Sequence, residues 1–132
     1  MNLISQLLVA SGVMGVLDFI WLGFVSKKLY ADELGNILLE KPNMVAALIF
    51  YAIYVVGVTV FVISPALAKG SFADALGYGA LFGLVAYATY DLTSLAVIKG
   101  FNVKIVVIDL IWGAALTAAV CAITFLVVQK WF

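Results

Sequence analysis

Four apolar runs, separated by short polar breaks, dominate the chain: residues 3–25, 44–63, 72–98 and 103–128. Each is long enough to cross ~30 Å of hydrocarbon as a helix. Inside a bilayer every backbone N–H and C=O must be satisfied within the segment, so a run of this kind forms a helix. The pattern therefore predicts an all-α integral membrane protein, a four-transmembrane-helix bundle forming one transmembrane domain over residues 1–132. Pro42 precedes the second run and Pro65 closes it, positions where proline is tolerated. Lys69-Gly70-Ser71 and Gly100-Phe101-Asn102 are tight links built from turn residues. The first link, 26–43, is longer. Its Leu29, Tyr30, Leu34, Ile37 and Leu38 share one half of a helical wheel, with Lys28, Asp32, Glu33 and Glu40 mostly elsewhere. That pattern predicts a short helix lying at the membrane surface. The opening MNLISQLLVASGVMG has no positive leader region and no clear cleavage site, and reads as a retained first span.

Composition narrows the chemistry. Of the residues, 67% are hydrophobic and 11% charged, against roughly half and a quarter in soluble domains. There is no Arg, which removes bidentate phosphate recognition, and no basic footprint for nucleic acid. There is no His, which removes Ser-His-Asp and Cys-His catalysis and most zinc chemistry. The single Cys121 lies in the last apolar run and reads as a small packing residue. Lys27, Lys28, Lys41, Lys99 and Lys104 cluster around the first and third links, with Lys69 and Lys130 opposite. The positive-inside rule then puts both termini outside, in the periplasm of a bacterial inner membrane.

Against this background three aspartates in span interiors stand out: Asp18, Asp91 and Asp109. Counted from Lys27, Lys99 and Lys104 they lie ~13, ~12 and ~8 Å deep, so the alternating spans bring them to similar levels in one leaflet. Each costs ~3 kcal/mol at a helix centre, which requires them to face inward or share partners. Helical spacing agrees. Gly79, Gly83, Tyr87 and Asp91 follow at i+4, with Ser94 extending that face. Ser11, Gly15 and Asp18 share a face, as do Asp109, Gly113 and Thr117. Tyr51 and Tyr54 reach a similar depth on the second span, and Tyr90 adjoins Asp91. LDFIWLGF and IDLIWGAA repeat Asp-x-Ile-Trp, placing Trp21 and Trp112 one turn after an aspartate as walls of a ligand site, while Trp131 reads as an interfacial belt residue. The candidate pocket is thus Asp18, Asp91, Asp109, Tyr51, Tyr54, Tyr87, Tyr90, Ser94, Trp21 and Trp112. Three carboxyls are also the donor set of a hard divalent metal, although the sequence requires no cofactor.

The segments LDFIWLGF, Tyr30 with Leu34-Gly35, KPNMVAALIFYAIYVVGVTVFVISPAL, ALFGLVAYATYDLTSLAVIKGF and VVIDLIWG together resemble a family of small bacterial four-helix membrane proteins, catalogued as domain of unknown function twenty-one seventy-seven. ATYDLTSLA is the most specific of them. Asp18, Tyr90, Asp91, Asp109 and Trp112 match the family pattern. Ser94, Lys99 and Phe101 depart from it, standing where Asn, Arg and Trp are common. The resemblance implies no activity. It implies company with cyclopropane-fatty-acid-synthase-like methyltransferases and other lipid-modifying proteins.

Three readings follow. The first is a role in membrane-lipid binding or acyl-chain modification, with membrane lipid and a lipid-modifying enzyme as partners. The second is a proton- or cation-coupled small transporter acting as a homodimer. The third is an assembly subunit of a membrane complex. Without His or Arg an accessory subunit is favoured over a self-sufficient enzyme, and the question of catalysis stays open.

Overall fold

The computed structural model describes residues 3–21 and 44–131. The surface helix expected in the first link, like residues 22–25 of the first run, lies outside the described residues. Helix α1 spans Leu3–Ile20. The second rod is built from α2 (Met44–Val58), a π-helical turn (Thr59–Ile63) and α3 (Ser64–Lys69), followed by α4 (Phe72–Val97) and α5 (Val103–Trp131). Four helices, Leu3–Ile20, Val45–Lys69, Phe72–Val97 and Val103–Trp131, are long and apolar enough to cross a membrane. The described residues contain no strand.

The reason these helices need a bilayer is visible in what they leave uncovered. Leu8, Phe19, Ile53, Phe61 and Ile111 are each more than 60% exposed on the outer faces. Helices that are apolar all round are stable only when lipid or protein surrounds them. The core is narrow and runs down the centre, through Ala10 and Met14 of α1, Tyr54, Val58 and Ile63 of the second rod, Ala75 of α4, and Leu116, Val120, Cys121, Phe125 and Val128 of α5. Helix α5 is the central post, with buried residues at each turn from Ile105 to Val128. It packs most closely on α4.

Both short links close as their sequences require. Gly70 takes a left-handed φ of 64°, a conformation that costs a residue with a Cβ more. Its N–H donates to the Leu67 carbonyl (3.1 Å) and that of Ser71 to Ala66 (3.0 Å), which satisfies the last carbonyls of α3. The Ser71 hydroxyl then accepts from the Asp74 N–H at 3.1 Å, capping α4, while Lys69 pairs with Asp74 at 3.6 Å. In the second turn Gly100 has φ 83°, and Asn102 Oδ1 accepts from the Lys104 N–H at 2.7 Å to start α5.

One boundary differs from expectation. Pro65 does not close the second span, because the helix continues through it to Lys69. Proline removes an N–H and crowds the carbonyl four residues back. The π turn just before it loosens the ladder, with the Ser64 N–H reaching the Thr59 carbonyl five residues back. Helix α5 also runs three residues beyond its expected end. There Lys130 Nζ sits 5.3 Å from the centroid of the Trp131 ring, which is largely exposed at the end of the bundle.

Candidate functional site

The site begins with missing side chains. A Cβ on Gly79 would lie 3.0 Å from Cys121 Sγ, and one on Gly83 would meet the Gly113 carbonyl and fall 2.7 Å from Thr117 Cβ. A Cβ on Gly113 would run into Tyr87. Only glycine allows α4 and α5 to approach this closely. These contacts also fix the register. Each step of four residues along α4 is answered by a step of four back along α5. Gly79 faces Cys121, Gly83 faces Thr117, and Tyr87 lies against Gly113. The next rung carries Asp91 on α4 and Asp109 on α5.

Both residues of that rung are buried, Asp91 at 0% and Asp109 at 6% exposure. Neither oxygen of Asp91 has a hydrogen-bond partner among the described residues. Ser94, one turn further along α4, is buried, and its carbonyl accepts the Ile98 N–H at 2.8 Å where the helix ends. Tyr90 faces outward, with its ring edge-on to Phe101 at 6.0 Å.

Asp18 stands apart from this rung. Trp21 and Trp112 stack with centroids 4.2 Å apart and planes 10° from parallel. This sets α1 against α5, and the two helices run in opposite directions. Asp18 precedes Trp21 by three residues on α1 and Asp109 precedes Trp112 by three on α5, so each acid is about one turn from the stack on its own helix. The three aspartates thus lie on three helices, Asp91 and Asp109 on the packed α4–α5 pair and Asp18 on α1. Accordingly, no group of three or more His, Cys, Asp or Glu among the described residues converges as a metal site.

Tyrosines fill the space between. The Tyr51 hydroxyl donates to the Ser11 carbonyl of α1, 3.2 Å from where a Gly15 Cβ would stand. The Tyr54 hydroxyl bonds Thr117 Oγ1 in the core, with Phe82 edge-on to its ring at 5.7 Å. The Tyr87 ring lies against Gly113 of α5. Beside it a half-open cleft of about 330 Å³ is lined by Phe50, Ala86, Tyr87 and Tyr90. The first turns of α2 stand away from the bundle here, with Val45, Leu48, Ile49 and Phe50 all exposed.

The sequence brought Asp91, Asp109, Ser94 and Tyr87 to one helix pair. Phe50 and Ala86 carried no signal there, because an apolar cleft wall reads like any other lipid-facing residue. A family model described as a predicted membrane protein matches residues 3–126, which takes in α1, the whole second rod, α4 and most of α5. No curated protein and no solved structure matches the chain.

Proposed function

We propose that this chain, which belongs to the predicted membrane protein family DUF2177, binds a membrane lipid by an acyl chain and holds it beside the Asp91–Asp109 rung. The supporting observation is the cleft lined by Phe50, Ala86, Tyr87 and Tyr90. Its volume is at the small end of ligand sites. It opens between exposed apolar residues, where only lipid tails would reach it. Its wall, Tyr87, stands one turn before Asp91 on α4. In this reading the chain sits in a bacterial inner membrane, with the lysine-rich links cytoplasmic, both termini periplasmic, and the cleft in the cytoplasmic leaflet. It presents the lipid to a modifying enzyme. Native mass spectrometry of the protein in mild detergent, beside Asp91→Asn and Ala86→Phe, tests the reading. A bound lipid that is lost when Phe fills the cleft supports it. A bare wild-type protein, together with an unchanged lipid profile in cells lacking it, overturns it.

A second reading rests on the burial of Asp91 without a partner among the described residues, since acids inside membranes commonly lie on proton and ion pathways. It predicts substrate-induced proton movement across vesicles containing a homodimer, abolished by Asp91→Asn. An assembly role, by contrast, predicts that Asp→Asn variants keep full function, because amides also hydrogen-bond.

A further inference from the structure

The opposite half of the bundle holds a second polar opening. Between α1 and α3 lies a cavity of about 270 Å³, lined by Gln6, Ser64, Leu67 and Ala68. Gln6 is 2% exposed, and its Oε1 is buried with no hydrogen-bond partner. A buried acceptor left open costs ~1–3 kcal/mol, and among the described residues no donor answers this one. The π turn supplies an independent indication. Such turns are rare and often mark functional positions, and this one ends at Ile63, immediately before Ser64 on the cavity wall. Its first residue, Thr59, is fully buried with an unpartnered hydroxyl.

Depth and charge define the occupant. Gln6 and Ser64 lie a few residues inside Lys69, near the boundary between hydrocarbon and head groups. Lys69 is engaged by Asp74 at 3.6 Å, and Lys130 lies over Trp131. Among the described residues the wall carries no charge. An acceptor amide and a hydroxyl in such a setting suit a neutral O–H donor rather than a phosphate. The cavity is half-open, like the cleft at Tyr87, and has room for more than a single bridging water. We propose that this cavity binds the hydroxyl-bearing head of a neutral glycerolipid, with Gln6 Oε1 accepting the lipid O–H and Ser64 beside it. The site is independent of the cleft at Tyr87 and lies in the other leaflet.

The test uses full-length protein in phosphatidylcholine–phosphatidylglycerol nanodiscs, with a diacylglycerol carrying a photoactivatable diazirine next to its glycerol unit. Crosslinks are expected on peptides holding residues 3–10 and 61–69. Gln6→Leu should reduce them about fivefold, the effect of one neutral hydrogen bond. The methyl ether of the same probe, which has no O–H to donate, should label wild type as weakly as the diacylglycerol labels Gln6→Leu. Asp91→Asn and Ala86→Phe should leave this labelling unchanged, which separates the site from the acyl-chain cleft. Equal labelling of wild type and Gln6→Leu, or equal labelling by diacylglycerol and its ether, would overturn the proposal and leave a water-filled cavity. Ser64→Ala guards against misfolding of the Gln6 variant: it should weaken labelling by diacylglycerol but not by the ether, and an equal effect on both counts against the proposal.

Discussion

Trp21 and Trp112 stack face to face at 4.2 Å, and this contact joins α1 to α5 one turn from an aspartate on either side. Aromatic pairs contribute ~0.5–1.5 kcal/mol beyond their buried area. A double-mutant cycle with Trp21→Leu and Trp112→Leu should therefore show a coupling of about 1 kcal/mol in reversible unfolding from detergent micelles. Additive single effects would mean that the rings do not meet.

The close approach of α4 and α5 makes Gly83 intolerant of a methyl group. Gly83→Ala places its Cβ against the Gly113 carbonyl and Thr117, where neither backbone can yield. A loss of ~1–3 kcal/mol is expected. Gly77→Ala on the same helix meets nothing within 4 Å and should be neutral or stabilising by up to ~1 kcal/mol. Thermal melts of the two variants side by side check the contrast.

Tyr54 and Thr117 satisfy each other in the core. Tyr54→Phe leaves the Thr117 hydroxyl open and should cost ~1–2 kcal/mol. Adding Thr117→Val removes the stranded group, and the double variant should recover part of the loss, measured by the same unfolding reaction.

Among the described residues Asp91 is buried without a partner, so its carboxyl is a burden to the fold. Replacing it with Leu, an apolar residue of similar bulk, should raise stability by ~1–3 kcal/mol while removing lipid from the purified protein. A variant that is both less stable and still lipid-bound would show the carboxyl to be structural.

Much of this arrangement was legible in the sequence because membrane helices announce themselves by length and apolarity. The spacing Gly79, Gly83, Tyr87, Asp91 identified a real packing face, and Asp109, Gly113, Thr117 identified its counterpart. Where Asp18 sits relative to the α4–α5 pair was not legible in the sequence. It depends on how α1 slides against α5, which is fixed by side chains meeting across helices, the two tryptophans above all. Pro65 looked like a terminator because sequence rules treat proline one residue at a time. The π turn that admits it is a property of the five residues before it. Gln6 was in plain view within an apolar run, but its importance emerges only once its neighbours are seen to leave Oε1 unanswered.

The turn through Gly100 has a consequence for how the protein enters the membrane. It leaves only Ile98 to Asn102 between α4 and α5, too few for the two helices to be threaded far apart. A lone α4 or α5 would carry its carboxyl into hydrocarbon at ~3 kcal/mol each. Joined by so short a connection, they form one hairpin whose Asp91 and Asp109 are both buried, at 0% and 6% exposure. The half of the protein that bears the costliest groups is thus the half built to be inserted in a single step.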